Sequence, residues 1–258
     1  MTILATDVRN KLSAVSAATL CTALYKRGLR NQALQNVHPW RTGRAHRVGP
    51  AYTLRYIPAR EDLNPLDVSR DPRHPQRLGV ESCPADAVMV MDSRKDARAA
   101  SAGSILVTRL MVRGVAGVVT DGGFRDSADI AALDIPAYHQ RPSAPTNLTL
   151  HQAIDLNVPI ACGDVAVWPG DIMVGDDESV VVIPKDIVDA VATDAQEMTC
   201  FEDFVAEQVR GGAGIRGLYP ATDPGPQSQS QDERCKHASK VKVICMLIVQ
   251  VYQNRLLP

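Results

Sequence analysis

A chain of 258 residues can hold one large α/β domain, or one domain with an appendage. Apolar residues make up 45% of it, which excludes wholesale disorder, yet only 4% are aromatic. The core must therefore be built from Ala, Val, Ile and Leu, and an aromatic platform for single-stranded nucleic acid is not expected. Lys and Arg number 28 against 29 Asp and Glu, so the basic footprint of a nucleic-acid binder is missing.

No apolar run reaches the length of a membrane-spanning helix. The first residues lack a basic stretch followed by an apolar one, so no secretory signal is expected. The six cysteines, at 21, 83, 162, 200, 235 and 245, have no C-x-x-C spacing. Scattered thiols without a signal sequence imply a cytoplasmic protein with reduced cysteines and no zinc site.

In chain order, residues 13–28 read as a helix, with Ser13 or Ser16 as its cap and Gly28 just past its end. Residues 48–57 alternate as a strand. Residues 58–78 contain four prolines and many charges and read as a loop. A parallel-sheet rhythm follows: a buried strand at 87–92, a helix at 104–113 ended by Gly114, and a buried strand at 115–120. The turn Asp121-Gly122-Gly123 then leads into a helix near 127–133. Strand–helix–strand–helix order implies a right-handed crossover. Residues 158–183 read as antiparallel β structure, with Trp168-Pro169-Gly170-Asp171 as a hairpin turn. Residues 186–209 read as a long helix ended by Gly211-Gly212.

The end is of another kind. Residues 225–231 are low-complexity, and residues 226–258 carry a net charge of +3 while 1–225 carry −4. No helix or strand logic joins this tail to the body. The expected organisation is a domain over 1–224 and an atypical tail over 225–258, disordered or artefactual.

The strongest chemical signal is Asp121-Gly122-Gly123-Phe124-Arg125-Asp126, delivered by a buried strand to its carboxyl end, where α/β folds place their sites. Two glycines permit a tight turn. Arg125 offers a fork of donors for a carboxylate or keto oxygen. Asp126 is an oxygen ligand of the kind Mg²⁺ takes singly, keeping its waters. An ordinary Gly-Gly turn with a surface Arg-Asp pair fits the same residues. The second signal is Gly103-Ser104-Ile105-Leu106 at a helix start, whose N–H groups can bind a carboxylate. One crossover separates it from Arg125-Asp126, so both can lie at one sheet edge. His139 and His151 have no partner at ligand spacing and read as structural or exposed. The Arg-rich run 41–47 reads as a solvated loop.

Taken together, LSAVSAATLCTAL, VGPAYTLRY, CPADAVMVMD, GSILVTRLMVRGVAGVVTDGGFRD and DVAVWPGDIMVGDDESVVVIP, in this order over roughly residues 10–220, resemble the RraA-like family. That family contains class II 4-hydroxy-4-methyl-2-oxoglutarate/4-carboxy-4-hydroxy-2-oxoadipate aldolases and regulators of ribonuclease activity. The resemblance implies a three-layer β/β/α swivelling-type α/β domain, with a parallel-containing sheet and an antiparallel β section. It also implies a homotrimer or a hexamer with the site between subunits. It implies that Asp126 anchors Mg²⁺ or Mn²⁺, that Arg125 meets the keto oxygen of a pyruvate-like substrate, and that Gly103, Ser104, Ile105 and Leu106 hold its carboxylate. The chemistry it implies is retro-aldol cleavage of a 4-hydroxy-2-oxo acid or oxaloacetate decarboxylation, through a pyruvate enolate. A non-catalytic regulator that binds a ribonuclease is the alternative. Nucleic acid and membrane are not expected partners.

The sequence departs from the family at one point. Active members carry an acidic residue, twenty residues, then Arg-Asp; here position 104 is Ser. Serine is a poor base at neutral pH. Asp121, or one of Glu197, Glu202 and Asp203, is a candidate for the missing proton carrier.

Overall fold

The computed structural model describes residues 4–43 and 47–220. The expected tail at 225–258 lies outside the described residues, as does part of the 41–47 run. The chain divides into two compact units, up to Thr193 and from Asp194.

The elements of the first unit follow one another as α1 (Thr6–Ser13), α2 (Ala17–Lys26), β1 (His38–Pro39), β2 (Arg47–Pro58), α3 (Pro75–Ser82), β3 (Val88–Asp92), β4 (Ala100–Ala102), α4 (Ser104–Val112), β5 (Gly117–Thr120), β6 (Gly123–Phe124), α5 (Ser127–Ala132), β7 (Ala137–His139), β8 (Arg141–Pro142), β9 (His151–Leu156), β10 (Ile160–Cys162), β11 (Val165–Val167), β12 (Ile172–Gly175) and β13 (Val180–Ile183). A final helix, α6 (Val188–Arg210), crosses the division between the units.

The main sheet runs β1-β7-β5-β3-β2-β12-β13, with β9 also paired to β2. Strands β2, β3, β5 and β7 are mutually parallel, whereas β12, β13 and β9 join antiparallel. The parallel strands read as continuous apolar runs because both their faces are covered. Residues of alternate parity divide between two cores. Met89, Met91 and Val118 pack with Val80 of α3, Val107 and Leu110 of α4 and Ile130 of α5. Val88, Val90 and Val119 pack with Ile160, Cys162, Val165 and Val167 of the β10–β11 hairpin. A hairpin layer, a sheet and a helix layer thus make a mixed α/β fold.

The β3–α4–β5 unit and the antiparallel 158–183 region match the reading of the sequence. Four details differ. The expected helix 13–28 starts at Ala17, after the expected cap Ser16, whose Oγ accepts from Thr19 N–H at 3.1 Å, and a separate helix, α1, precedes it and ends at Ser13. The expected loop 58–78 holds a short 3₁₀ turn at Leu66–Arg70 and the start of α3, whose first residue, Pro75, is suited to a first helical turn. The Gly-Gly turn does not pass straight to a helix: Gly123-Phe124 forms β6, which joins β4 and β8 in a small parallel sheet. Trp168–Asp171 is a turn, with Asp171 N–H donating to Trp168 O at 3.0 Å, but it links β11 to β12 in different sheets and is not a hairpin.

Within the second unit the described residues are helical to Arg210, and Gly212 beyond takes φ +94°. Phe201 and Tyr219 stack there at 6.2 Å.

Candidate functional site

The small sheet β4-β6-β8 brings the two sequence signals together. Ala102 O, at the end of β4, accepts from Arg125 N–H at 3.1 Å, so the start of α4 and the Arg-Asp pair are locked edge to edge. Asp126 takes a left-handed backbone, φ +60°. Its side chain turns to α4, not to its own helix α5. Asp126 Oδ2 accepts from Ser104 N–H at 3.0 Å and lies 3.3 Å from Ser104 Oγ. It serves as the cap that Gly103, with no side chain, cannot supply. Arg125 Nε donates to Asp126 Oδ1 at 3.3 Å.

Gly103 is required by this closeness. A side-chain carbon there would sit 2.6 Å from Asp126 Oδ2 and 3.0 Å from Arg125 Cγ. The Ser104 backbone N–H, first, and then the Arg125 guanidinium hold the Asp126 carboxyl below the usual carboxylate range, so it is an anion at neutral pH. Arg125 and Asp126 remain partly open to solvent, their side chains 42% and 32% exposed. Ile105 is 80% exposed and Leu106 packs toward the helix-side core. As residues of the first helical turn, Ile105 and Leu106 have N–H groups with no intrahelical acceptor.

Asp121, expected beside these residues, is only 1% exposed, and its oxygens engage neither Arg125 nor Asp126. They accept from Ser93 N–H at 2.7 Å, Lys95 N–H at 3.1 Å and Gly163 N–H at 3.3 Å. Burial, opposed by these bonds and reinforced by Asp92, pushes its carboxyl up to about 6. Asp121 shares the sheet face of Val119, which packs toward the β10–β11 hairpin. Glu197, Glu202 and Asp203 lie on α6 in the second unit.

Both histidines are buried. His139 stacks between Trp40 and Phe124, at ring distances of 3.9 and 5.9 Å, and burial pushes it down to about 4. His151 contacts Ala99 O and Arg94 Nη2 at 3.2 Å each. Sequence reasoning missed the part played by Ser93, Ser101 and Thr120, whose hydroxyls form a buried chain behind Gly122. No spacing rule points to them, because they come from three separate segments.

No group of three or more His, Cys, Asp or Glu side chains gathers at a metal distance among the described residues. Asp126 alone fits the kind of ion that takes one carboxylate and keeps its waters, as Mg²⁺ does. Its Oδ2 is bound by two Ser104 donors, whereas Oδ1 has only the long contact from Arg125 and is the freer atom.

Parallel strands that deliver an arginine and an aspartate to an open helix start define an α/β protein with a charged corner at the carboxyl ends of its strands. The chain belongs to the RraA-like family (Aldolase/RraA), whose pattern matches residues 17–182. It is 35% identical over 138 residues to a protein of Halalkalibacterium halodurans named "Putative 4-hydroxy-4-methyl-2-oxoglutarate aldolase", covering 54% of this chain and 60% of that one. An uncharacterised protein of Methanocaldococcus jannaschii is 35% identical over 118 residues, covering 45% and 55%. The chain thus spans less than two thirds of the length of these curated relatives. Among solved structures, RraAS2 of Streptomyces coelicolor, described as an unusual member of the RNase ES inhibitor RraA family, superposes with a TM-score of 0.70 at 26% identity, covering 79% and 98%. An uncharacterised protein of Pseudomonas syringae pv. tomato gives 0.71 at 21%, covering 85% and 100%, a likeness of fold. The family therefore holds members named as aldolases and members named as ribonuclease inhibitors. No helix among the described residues is long and apolar enough to cross a membrane.

Proposed function

We propose that this protein is a metal-dependent lyase that cleaves a small 2-oxo acid through a pyruvate enolate, working as a homotrimer or hexamer in the cytoplasm. The observation that carries the reading is the joining of Arg125 and Asp126 to the start of α4 around a glycine that admits no side chain. The N–H groups of Ile105 and Leu106 receive the substrate carboxylate, since Ser104 N–H is committed to Asp126. The Arg125 guanidinium faces the 2-oxo oxygen and stabilises the negative charge that gathers there as the enolate forms. Asp126 Oδ1 would hold a hydrated Mg²⁺ or Mn²⁺, whose chemistry when bound is Lewis-acid stabilisation of that same charge.

Ser104 decides which cleavage is easier. In retro-aldol cleavage the C3–C4 bond breaks as a base takes the proton of the 4-hydroxyl, and C3 is protonated afterwards. In decarboxylation of oxaloacetate the same bond breaks with loss of CO₂, and no hydroxyl proton has to leave. A serine cannot act as that base at neutral pH. The residues at hand therefore favour decarboxylation over aldol cleavage. The alternative, a regulator that binds a ribonuclease, draws on the same serine and on the likeness to RraAS2. The deciding experiment is a screen of 2-oxo acids with Mg²⁺ and with Mn²⁺, read as pyruvate formed. Release from oxaloacetate no faster than metal alone, with tight binding of a ribonuclease, would replace the lyase reading by the regulator one.

A further inference from the structure

We propose that Asp121 is a positioning residue: its buried carboxylate ties the loop after β3 to the turn of the β10–β11 hairpin, and the tied loop forms the wall against which the Gly122–Asp126 segment is set. The inference rests on the lyase reading for its effect on turnover and on geometry for the tie itself.

Three segments meet at this carboxylate. Oδ1 accepts from Ser93 N–H, and Oδ2 accepts from Lys95 N–H and Gly163 N–H. Asp92 lies beside it, because Met91 and Thr120 are paired across β3 and β5. Asp92 repeats the pattern one step out, accepting from Arg94 N–H at 2.9 Å and Ala161 N–H at 3.3 Å. Two adjacent carboxylates thus take up five backbone donors, three from the loop after β3 and two from the β10–β11 hairpin, which share no strand pairing. Arg94 and Lys95 both take left-handed backbones, φ +59° and +58°, which L residues adopt only when the surroundings hold them. Lys95 Nζ pairs with Asp164 Oδ1 at 2.6 Å outside the tie.

The tied loop bears directly on the site segment. A side-chain carbon on Gly122 would meet Ser93 Cβ at 2.7 Å and Ser101 Oγ at 2.8 Å. Ser93 Oγ bonds Ser101 Oγ at 2.7 Å, Ser101 Oγ bonds Thr120 Oγ1 at 2.6 Å, and Gly122 N–H donates to Thr120 Oγ1 at 2.9 Å. Moving Ser93 breaks this chain at its first link and opens the seat of Gly122, three residues before Arg125.

The charged and titratable groups facing Asp121 are Asp92 at the end of β3, Lys95 on the tied loop, Cys162 on β10, and Asp164 beyond Lys95. Burial outweighs the three N–H bonds, so the carboxyl sits at about 6, and it gains a proton in mildly acid solution. The tied state therefore holds this proton more tightly than an opened, solvated one, so opening becomes easier as pH rises through about 6.

The test is amide hydrogen exchange on the full chain, with pyruvate formation from oxaloacetate measured beside it. In Asp121→Asn, exchange of peptides holding Ser93–Lys95 and Gly163 should rise about tenfold or more at pH 7.5 while the 117–120 strand is unchanged. In the wild type the same two peptides, corrected for intrinsic rates, should open more readily as pH rises through about 6; in Asp121→Asn no such pH step should appear. Turnover of the variant should fall about tenfold in kcat with little change in KM. Unchanged exchange at Ser93–Lys95 in the variant overturns the tie, whatever the activity. If the variant does not fold, the wild-type pH series decides alone, and a flat profile overturns the tie. Exchange that responds as predicted in a protein inactive on every 2-oxo acid keeps the tie and removes the lyase reading.

Discussion

Asp126 and Asp121 stand five residues apart on one segment and meet opposite environments. Asp126 is open to solvent, sits between an arginine and a helix start, and is held as an anion. Asp121 is sealed on the hairpin face of the sheet, and burial opposes its charge. Both accept backbone N–H groups, so hydrogen bonding alone does not separate them. Solvent and neighbouring charge do. A carboxylate kept ready costs little at an exposed corner beside Arg125. A carboxylate used as a fastener is held in the interior against its own desolvation.

The largest effect should come from the open corner. Arg125→Ala should lower pyruvate formation about 10²–10³-fold, the usual cost of losing a donor aimed at a developing oxyanion. Its thermal unfolding should change little, since the side chain is partly exposed. Gly103→Ala comes next. The added carbon would force Asp126 or Arg125 aside and should cost about 1–3 kcal/mol by chemical denaturation, with most of the activity lost. A variant that keeps both stability and activity would show that the tight corner is not needed.

The sealed carboxylate gives a prediction of opposite sign. The folded-state pKa of Asp121 is raised to about 6, above the ordinary carboxylate value of 3.8, so the folded protein holds this proton more tightly than the unfolded chain. Stability from this group is fully present below the ordinary range and is lost as pH rises through about 6, by roughly 3 kcal/mol at most. Asp121→Asn carries no such loss. Its stability relative to wild type should therefore improve between about pH 4 and pH 8, by roughly 2–3 kcal/mol, while its activity falls. Parallel stability curves for the two proteins would contradict the buried charge.

Two smaller effects sharpen the contrast. Ser104→Asp restores a carboxylate beside Asp126 and should raise retro-aldol cleavage about tenfold or more, with less change in oxaloacetate decarboxylation. An equal rise in both would mean that no hydroxyl base is missing. Glu81→Ala removes the exposed ion pair with Arg109 and should leave thermal stability and turnover unchanged.

The sequence made the open corner legible and hid the sealed one. Gly103-Ser104 and Arg125-Asp126 flank one strand–helix–strand unit, and a continuous apolar strand followed by paired glycines is a strong local signal. The small sheet that joins them was not foreseen, because β6 and β8 are two residues long and carry no periodicity. The partners of Asp121 are backbone N–H groups 28, 26 and 42 residues away, which any residue type could supply. One clue was present: strand alternation puts residue 121 on the face of Val119 and away from the helix layer. Helix α1 left a weaker signal than α2, since its cap position is Ala5, which offers no side-chain acceptor, whereas Ser16 marks the start of α2.

The central claim, that Arg125 and Asp126 carry lyase chemistry, is met most directly by pyruvate release from oxaloacetate with Mg²⁺ or Mn²⁺. Wild type, Arg125→Ala and Asp126→Ala are compared with buffer plus metal. The account predicts wild-type release well above the metal background, with both variants reduced to near that background while still folded. Wild-type release equal to the background, or an Arg125→Ala protein as active as wild type, would contradict it.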